Sequence, residues 1–112
     1  MTATYVQGSD IAKIRLYCSD TKISDPVFQD EELGDFLILE GEVRLAAAAA
    51  LERMASSQAL LAKVRSVGDI SLDGISLAKQ LIDNATHLRD IVESQGGNTA
   101  IDVAELYYED LV

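Results

Sequence analysis

His87 is the side chain best suited to proton transfer, because an unperturbed histidine titrates near neutral pH. It is the only histidine in the chain. Helical spacing from Asp83 and from Asp90 would place a carboxylate partner on its face of a helix. A Ser-His-Asp or Cys-His assembly also needs an activated nucleophile, and the sequence contains no nucleophile motif. We therefore interpret His87 as a surface residue.

A group of acids in the first third of the chain is the second candidate for chemistry, as ligands for a cation. Its members are Asp20, Asp25, Asp30, Glu31, Glu32 and Asp35. A calcium loop needs carboxylates at closely alternating positions, a central glycine and a terminal glutamate. The run DTKISDPVFQDEE lacks that pattern. Cys18 is the only cysteine, which excludes an internal disulfide and a thiolate metal site. The sequence thus predicts no catalytic residues, no metal site and no cofactor, and we expect a protein that is not an enzyme.

Composition predicts one folded domain with a core of aliphatic side chains. The chain has 112 residues, of which 48% are hydrophobic, with no tryptophan and two phenylalanines. This is too hydrophobic for intrinsic disorder. Leu, Ile, Val and Ala must supply most of the core, which favours close helix packing over a large ligand cavity.

The charge is strongly negative along the whole chain. Nineteen acids and nine bases give a net charge of −10. Such a surface repels nucleic acid phosphates and has few cations to release counterions on binding, which argues against specific DNA recognition. The first ten residues lack the regions of a signal peptide, and no apolar run approaches the ~20 residues of a membrane span. We expect synthesis in the cytoplasm and no membrane partner.

Apolar periodicity predicts an all-α fold, a small bundle of about four helices. The predicted helices cover residues 9–18, 30–40, 42–56 and 75–95, and a helical continuation over 58–65 is left open. Asp30 is the expected N-cap of the second helix, and Gly41 is its expected end. The run Ala46–Ala50 has the highest helix propensity in the chain and is interpreted as part of a closely packed core helix.

Residues 66–74 differ from this helical pattern. Val67, Ile70 and Leu72 alternate with polar residues, and Gly68 and Gly74 interrupt the segment. The pattern predicts an extended arm or loop. A lone strand would need a partner for its backbone groups, which makes Val67, Ile70 and Leu72 candidates for contact between subunits. A plain surface loop is the alternative.

The chain after the last helix forms a second unit in this interpretation. Residues 1–95 are predicted to be a helical domain, and residues 96–112 a docking tail that begins at a Gly-Gly pair. The tail carries four acids, no base and the apolar edge Tyr107, Tyr108, Leu111 and Val112. A terminal helix folded back on its own domain is the alternative.

Three segments in order resemble the head-tail connector, or adaptor, family of tailed bacteriophages. They are RLYCSDTKISDPVFQDEELGDFL, EGEVRLAAAAALERMA and LLAKVRSVGDISLDGISLAKQL. Members of that family often show an Arg-Leu helix, a proline-containing acidic loop, an Asp-Glu-Glu-Leu helix start and an alanine-rich helix. The resemblance covers about residues 11 to 93.

The resemblance implies a mostly helical subunit of a homo-oligomeric ring, commonly a dodecamer, beneath the portal protein. Double-stranded DNA would pass through the ring without specific binding, and a stopper or tail-completion protein would bind below. By the same resemblance Tyr107, Tyr108, Leu111 and Val112 would contact the portal. The expected location is the neck of the virion, between capsid and tail, after synthesis in the host cytoplasm.

A small acidic helical binding protein is the alternative function, such as a DNA mimic or a regulator of a cellular partner. Mimicry would require acids in two rows at phosphate-like spacing on a rigid face. Many of the acids here stand at predicted helix starts, where capping and the helix dipole explain them.

Overall fold

The computed structural model describes residues 2–68, 70 and 72–96. These residues form five α-helices and no strand. The helices are α1 (Asp10–Cys18), α2 (Asp30–Glu40), α3 (Val43–Ser56), α4 (Gln58–Val67) and α5 (Gly74–Gly96). The predicted all-α class is confirmed. The fifth helix arises because Ser57 leaves helical geometry, and its side chain accepts a hydrogen bond from the Leu60 N–H at 3.4 Å. The continuation after α3 is therefore a separate, capped helix.

Helix α3 is the centre of the bundle, and all four other helices contact it, α5 most extensively. The predicted close packing of its alanines is confirmed, since four of them are fully buried. These are Ala46, Ala47, Ala48 and Ala50. Side chains this small let the neighbouring helix axes approach closely, because the distance between packed helices depends on the side chains at the contact.

The larger apolar side chains of the core come from α1, α2, α3, α5 and the loop before α2. They are Ile14, Cys18, Phe28, Leu33, Leu51, Met54, Leu77, Leu81 and Leu88. Phe28 packs edge-to-face against Phe36 with ring centroids 5.3 Å apart. This contact attaches the loop over residues 19–29 to α2 and gives the long loop a fixed course.

The start of α2 differs from the predicted N-cap. Asp30 is already within the helix, and Gln29 is the cap, with its N–H donating to Glu32 Oε1 at 2.8 Å. The Asp30 carboxylate instead accepts hydrogen bonds from Thr4 and Arg15. Asp30, which the sequence predicted as a cap, therefore links α2 to the N-terminal segment and to α1.

The predicted arm at residues 66–74 is a short helix-to-helix connection. Helix α4 extends through Val67, and α5 begins at Gly74. Ile70 is half-buried against the core, and its N–H donates to the Arg65 carbonyl at 3.0 Å. Of the three alternating residues, Leu72 is the exposed one, at 41%.

None of the described helices has both the length and the apolar character that crossing a membrane requires.

Candidate functional site

A buried arginine of α1 holds together three other parts of the chain. Arg15 of α1 has no solvent exposure. Its Nη1 lies 3.0 Å from Asp20 Oδ2, its Nη2 lies 2.8 Å from Asp30 Oδ1, and its Nε donates to the Thr4 carbonyl at 3.0 Å. One guanidinium thus joins α1, the loop, the start of α2 and the N-terminal segment, using the planar fork that arginine offers.

Both carboxylates of this network have further donors. Asp20 is also buried and accepts from the backbone N–H groups of Val27 and Phe28, at 2.8 and 2.9 Å. Thr4 donates to Asp30 from its backbone N–H at 3.0 Å and from its hydroxyl at 2.6 Å. A buried ion pair is tolerated when its lone pairs are satisfied in this way. The cluster is fully engaged internally, so we assign it a structural role.

Asp30 makes the network sensitive to acid. Partial burial acts to raise the pKa of Asp30, but the hydrogen bonds from Arg15 and Thr4 outweigh it and hold that pKa below its ordinary value of 3.8. The pKa of Glu31 is also lowered, chiefly by the Thr2 N–H that it accepts from. The same holds for Asp73, which accepts from the Ser76 N–H at the start of α5.

These shifts predict that the folded chain loses stability below about pH 5. The unfolded chain, with its higher carboxyl pKa values, binds protons first as the pH falls, so acid favours unfolding. We expect a nearly constant urea midpoint from pH 7 to about pH 5 and a steep decline below it. Asp30→Asn should lower stability at pH 7 and flatten the decline. Asp35→Asn, at an exposed position of α2, is the matched control and should leave the profile unchanged.

The residues singled out for chemistry are spread over the molecule and form no common site. His87 is exposed on α5, and the neighbouring Asp83 accepts from Lys79 at 3.0 Å. Burial raises the pKa of the Cys18 thiol to about 12, so that thiol is almost entirely protonated at neutral pH. Within residues 2–68, 70 and 72–96, no group of His, Cys, Asp or Glu side chains is arranged to hold a metal ion.

A partly open cavity of about 250 Å³ lies where α1, α3, α4 and α5 meet. Its wall is mainly apolar and includes Leu51, Met54, Val64 and Ile70. Asp20, one of its polar lining residues, is already bound to Arg15 and to two backbone N–H groups. The cavity is therefore mainly an apolar space, and the buried Asp20 carboxylate in its wall already has hydrogen-bond partners within the chain.

A second arginine fixes the far ends of three helices relative to one another. Arg89 of α5 makes a bidentate contact with Glu52 of α3, at 2.9 and 2.8 Å, and a third contact with Glu40 at the end of α2, at 3.1 Å. The hydrogen bonds with Glu52, and then those with Glu40, raise the pKa of Arg89. The end of α2 is thereby held at the level of residue 89 of α5.

Comparison with protein-family models, with curated proteins and with solved structures finds no match to this chain.

Two apolar patches contain the three most exposed large hydrophobic side chains of the described residues, and they are candidates for binding a macromolecule. The first is at the end of α2, where Ile38 and Leu39 are 81% and 80% exposed. The second is at the start of α5, where Ile75 is 87% exposed and Leu72 is 41% exposed. Large apolar side chains at this exposure on neighbouring positions mark interaction surfaces more often than isolated ones do.

The sequence pattern predicted one residue of the second patch as a contact and none of the first. Leu72 was among the subunit-contact candidates, whereas Val67 and Ile70 are half-buried. The portal-contact candidates Tyr107, Tyr108, Leu111 and Val112 lie outside the described residues. The signal for the first patch was the uninterrupted run of apolar residues 36–39, because four consecutive positions span more of a helix than one buried face can cover.

Proposed function

We propose that this chain is the subunit of a head-tail adaptor ring of a tailed bacteriophage, a structural virion protein that extends the portal channel and joins the capsid to the tail. The observation that supports this most directly is the placement of the two exposed apolar patches at two well-separated levels along α5. The order of sequence segments that resembles the connector family supplies the biological setting.

The separation of the patches follows from two facts. The Arg89–Glu40 contact of 3.1 Å holds the end of α2, and with it Ile38 and Leu39, beside residue 89. Ile75 lies fourteen residues earlier in the same helix. At 1.5 Å per residue, the two levels are about 21 Å apart along α5.

Two different patches on one subunit suit a ring better than a symmetric dimer. A dimer with twofold symmetry pairs the same patch on both copies, whereas a head-to-tail contact pairs unlike patches and closes into a ring when the rotation permits. Each subunit of an adaptor ring needs one surface for the neighbour before it and another for the neighbour after it. The proposed subunit has a candidate for each.

The acidity of the chain is consistent with a DNA channel. A surface with a net charge of −10 gains little from counterion release, so DNA would slide past it without being held. Two of the arginines, Arg15 and Arg89, are also committed to carboxylates of their own chain.

Imaging the purified protein mixed with its portal tests the proposal. We expect a ring on the narrow end of the portal, with a continuous central channel. The matched control is a portal assembly incubated with an unrelated helical protein of similar charge. Absence of a ring, together with binding to a basic DNA-binding protein, would overturn the adaptor function in favour of an acidic binding protein or DNA mimic.

Deletion of residues 97–112 tests the proposed docking tail. All five described helices lie within residues 10–96, so we expect them to remain folded in the shortened chain with an unchanged unfolding midpoint. Its portal affinity should fall by about tenfold or more, since burial of even one large apolar side chain contributes 1.5–3 kcal/mol. Titration against portal, with circular dichroism as the folding control, measures both quantities. Unchanged affinity would contradict a docking role for Tyr107, Tyr108, Leu111 and Val112.

A further inference from the structure

We propose that Ile38 and Leu39 of one copy pack into the cleft between α4 and the start of α5 of a second copy, in a head-to-tail contact. This inference rests on the proposed ring and names its subunit interface. The inserted surface is called the α2 edge and comprises Glu31, Asp35, Ile38 and Leu39. The receiving surface is called the α4–α5 cleft. Its lining residues are Gln58, Leu61, Asp73, Gly74, Ile75 and Ala78.

The α2 edge is an exposed row that ends in its apolar pair. Glu31, Asp35 and Leu39 are spaced four residues apart, which places them one above another on the helix surface, with Ile38 beside them. All four are exposed. Leu33 on the opposite side is fully buried and anchors the helix to the core. The row therefore projects from a fixed helix.

The α4–α5 cleft is a shallow depression of about 420 Å³ with a mainly apolar wall. Leu61, Gly74 and Ala78 are half-buried, whereas Ile75 is 87% exposed. Leu72, at the same turn, adds a further exposed aliphatic side chain. A depression bordered by exposed aliphatic groups can receive one or two branched side chains and exclude water around them.

Charge favours contact between the α2 edge and the cleft over contact between two α2 edges. Residues 30–42, which contain α2, carry six acids and no base, whereas residues 53–79 carry four bases and two acids. Pairing α2 with α2 would bring two strongly acidic surfaces together and is disfavoured. Pairing α2 with the segment 53–79 brings less like charge together, and the distribution of charge across an interface contributes to its register.

One exposed arginine lies near the cleft. Arg65 of α4 is exposed and forms no salt bridge with another residue in the described part of the chain. It is close enough to Asp73, a cleft residue, to lower the pKa of that carboxyl. This cation is in reach of an approaching acidic helix, for which Glu31 and Asp35 are the exposed partners.

Both surfaces are rigid before contact, which reduces the ordering cost of association. Arg89 holds the end of α2 to α3 and α5, and Arg15 holds its start to α1. Asp73 caps the first turn of α5 by accepting the Ser76 N–H at 2.7 Å. The apolar pair and the cleft are thus presented at fixed positions.

Mixing two variants that each lack one half of the contact is the decisive experiment. Leu39→Glu disables the α2 edge and leaves the cleft intact, and Ile75→Glu does the reverse. Each variant alone should self-associate at least about tenfold more weakly than the wild-type chain. The equimolar mixture should form one-to-one dimers and no larger species, because a single intact contact is available per pair. Analytical ultracentrifugation up to about 1 mM protein measures all three samples, a range that includes weak contacts.

Leu16→Glu is the matched control, since Leu16 is 63% exposed on α1, outside both surfaces. It should associate as the wild-type chain does. A wild-type chain that stays monomeric at about 1 mM overturns the proposed contact. So does a Leu39→Glu chain that associates normally, or a mixture that stays monomeric.

Repeating the measurement on the portal separates this inference from the proposed function. If the mixture forms dimers but the wild-type chain forms no ring on the portal, the contact stands and the adaptor function fails. If both variants form normal rings on the portal, the adaptor function stands and the contact fails. If each variant fails to form a ring that the wild-type chain does form, both proposals are supported.

Discussion

Replacing Arg15 with alanine is expected to lower the free energy of unfolding by about 3–5 kcal/mol, which is the usual cost of removing one partner of a buried ion pair. The guanidinium has no solvent exposure and binds two carboxylates and a carbonyl. Without it, Asp20 stays buried with its charge uncompensated. The loop over residues 19–29 and the N-terminal segment would lose a common attachment point.

Urea unfolding at pH 7, followed by circular dichroism, measures this loss. Lys13→Ala is the matched control, because Lys13 is an exposed cation of the same helix. Its effect should stay within about 0.5 kcal/mol of the wild-type chain, as is usual at surface positions. A loss below about 1 kcal/mol for Arg15→Ala, the range of exposed ion pairs, would show that solvent reaches the network in solution.

Leu33→Ala has the second largest expected effect, a loss of about 2–5 kcal/mol. Leu33 is fully buried, and it is the one residue of α2 in that class. Truncating it removes the transfer free energy of its methyl groups and leaves a cavity beside α3. The partly buried Phe36 and Leu37 then remain as the core contacts of its apolar face, so we expect α2 to fray before the rest of the bundle unfolds.

Leu39→Ala provides the same substitution in the same helix at an exposed position. Leu39 is 80% exposed, so the free energy of unfolding should change by no more than about 0.5 kcal/mol. Comparing urea midpoints of the two variants isolates burial as the cause. Equal losses would mean that Leu39 is covered in solution, as it would be in an assembled ring.

Local patterning predicted most of the helices because each carries its own periodic signal. Helix α5 follows the i, i+3, i+4 spacing through Leu77, Leu81, Ala85 and Leu88, all of which are buried. Gly41 ends α2 with the left-handed conformation (φ 82°) that glycine adopts without strain. Ser57 does not decide the boundary between α3 and α4, since a serine within an apolar run is compatible with one long helix or with two capped ones.

The burial of Arg15 and the exposure of Ile38 and Leu39 depend on tertiary contacts that sequence spacing does not reveal. Arg15 stands in an ordinary helical segment, and its burial follows from carboxylates five and fifteen residues away in sequence. Ile38 and Leu39 resemble core residues by type, but no helix among the described residues covers them. Whether an apolar side chain is buried is decided by what packs over it, which is a tertiary property.

Because α5 is one continuous helix, an insertion or deletion within it changes the relative position of the two patches. No glycine or proline interrupts residues 75–95, so the helix transmits position and angle from one end to the other. Inserting a single residue between the two patches would lengthen their separation by about 1.5 Å and turn one of them by about 100° relative to the other. Substitutions on the exposed face of α5 leave that geometry intact, whereas insertions and deletions change the angle between the two patches. In the proposed ring, the length of α5 between the patches would set how many copies close the circle.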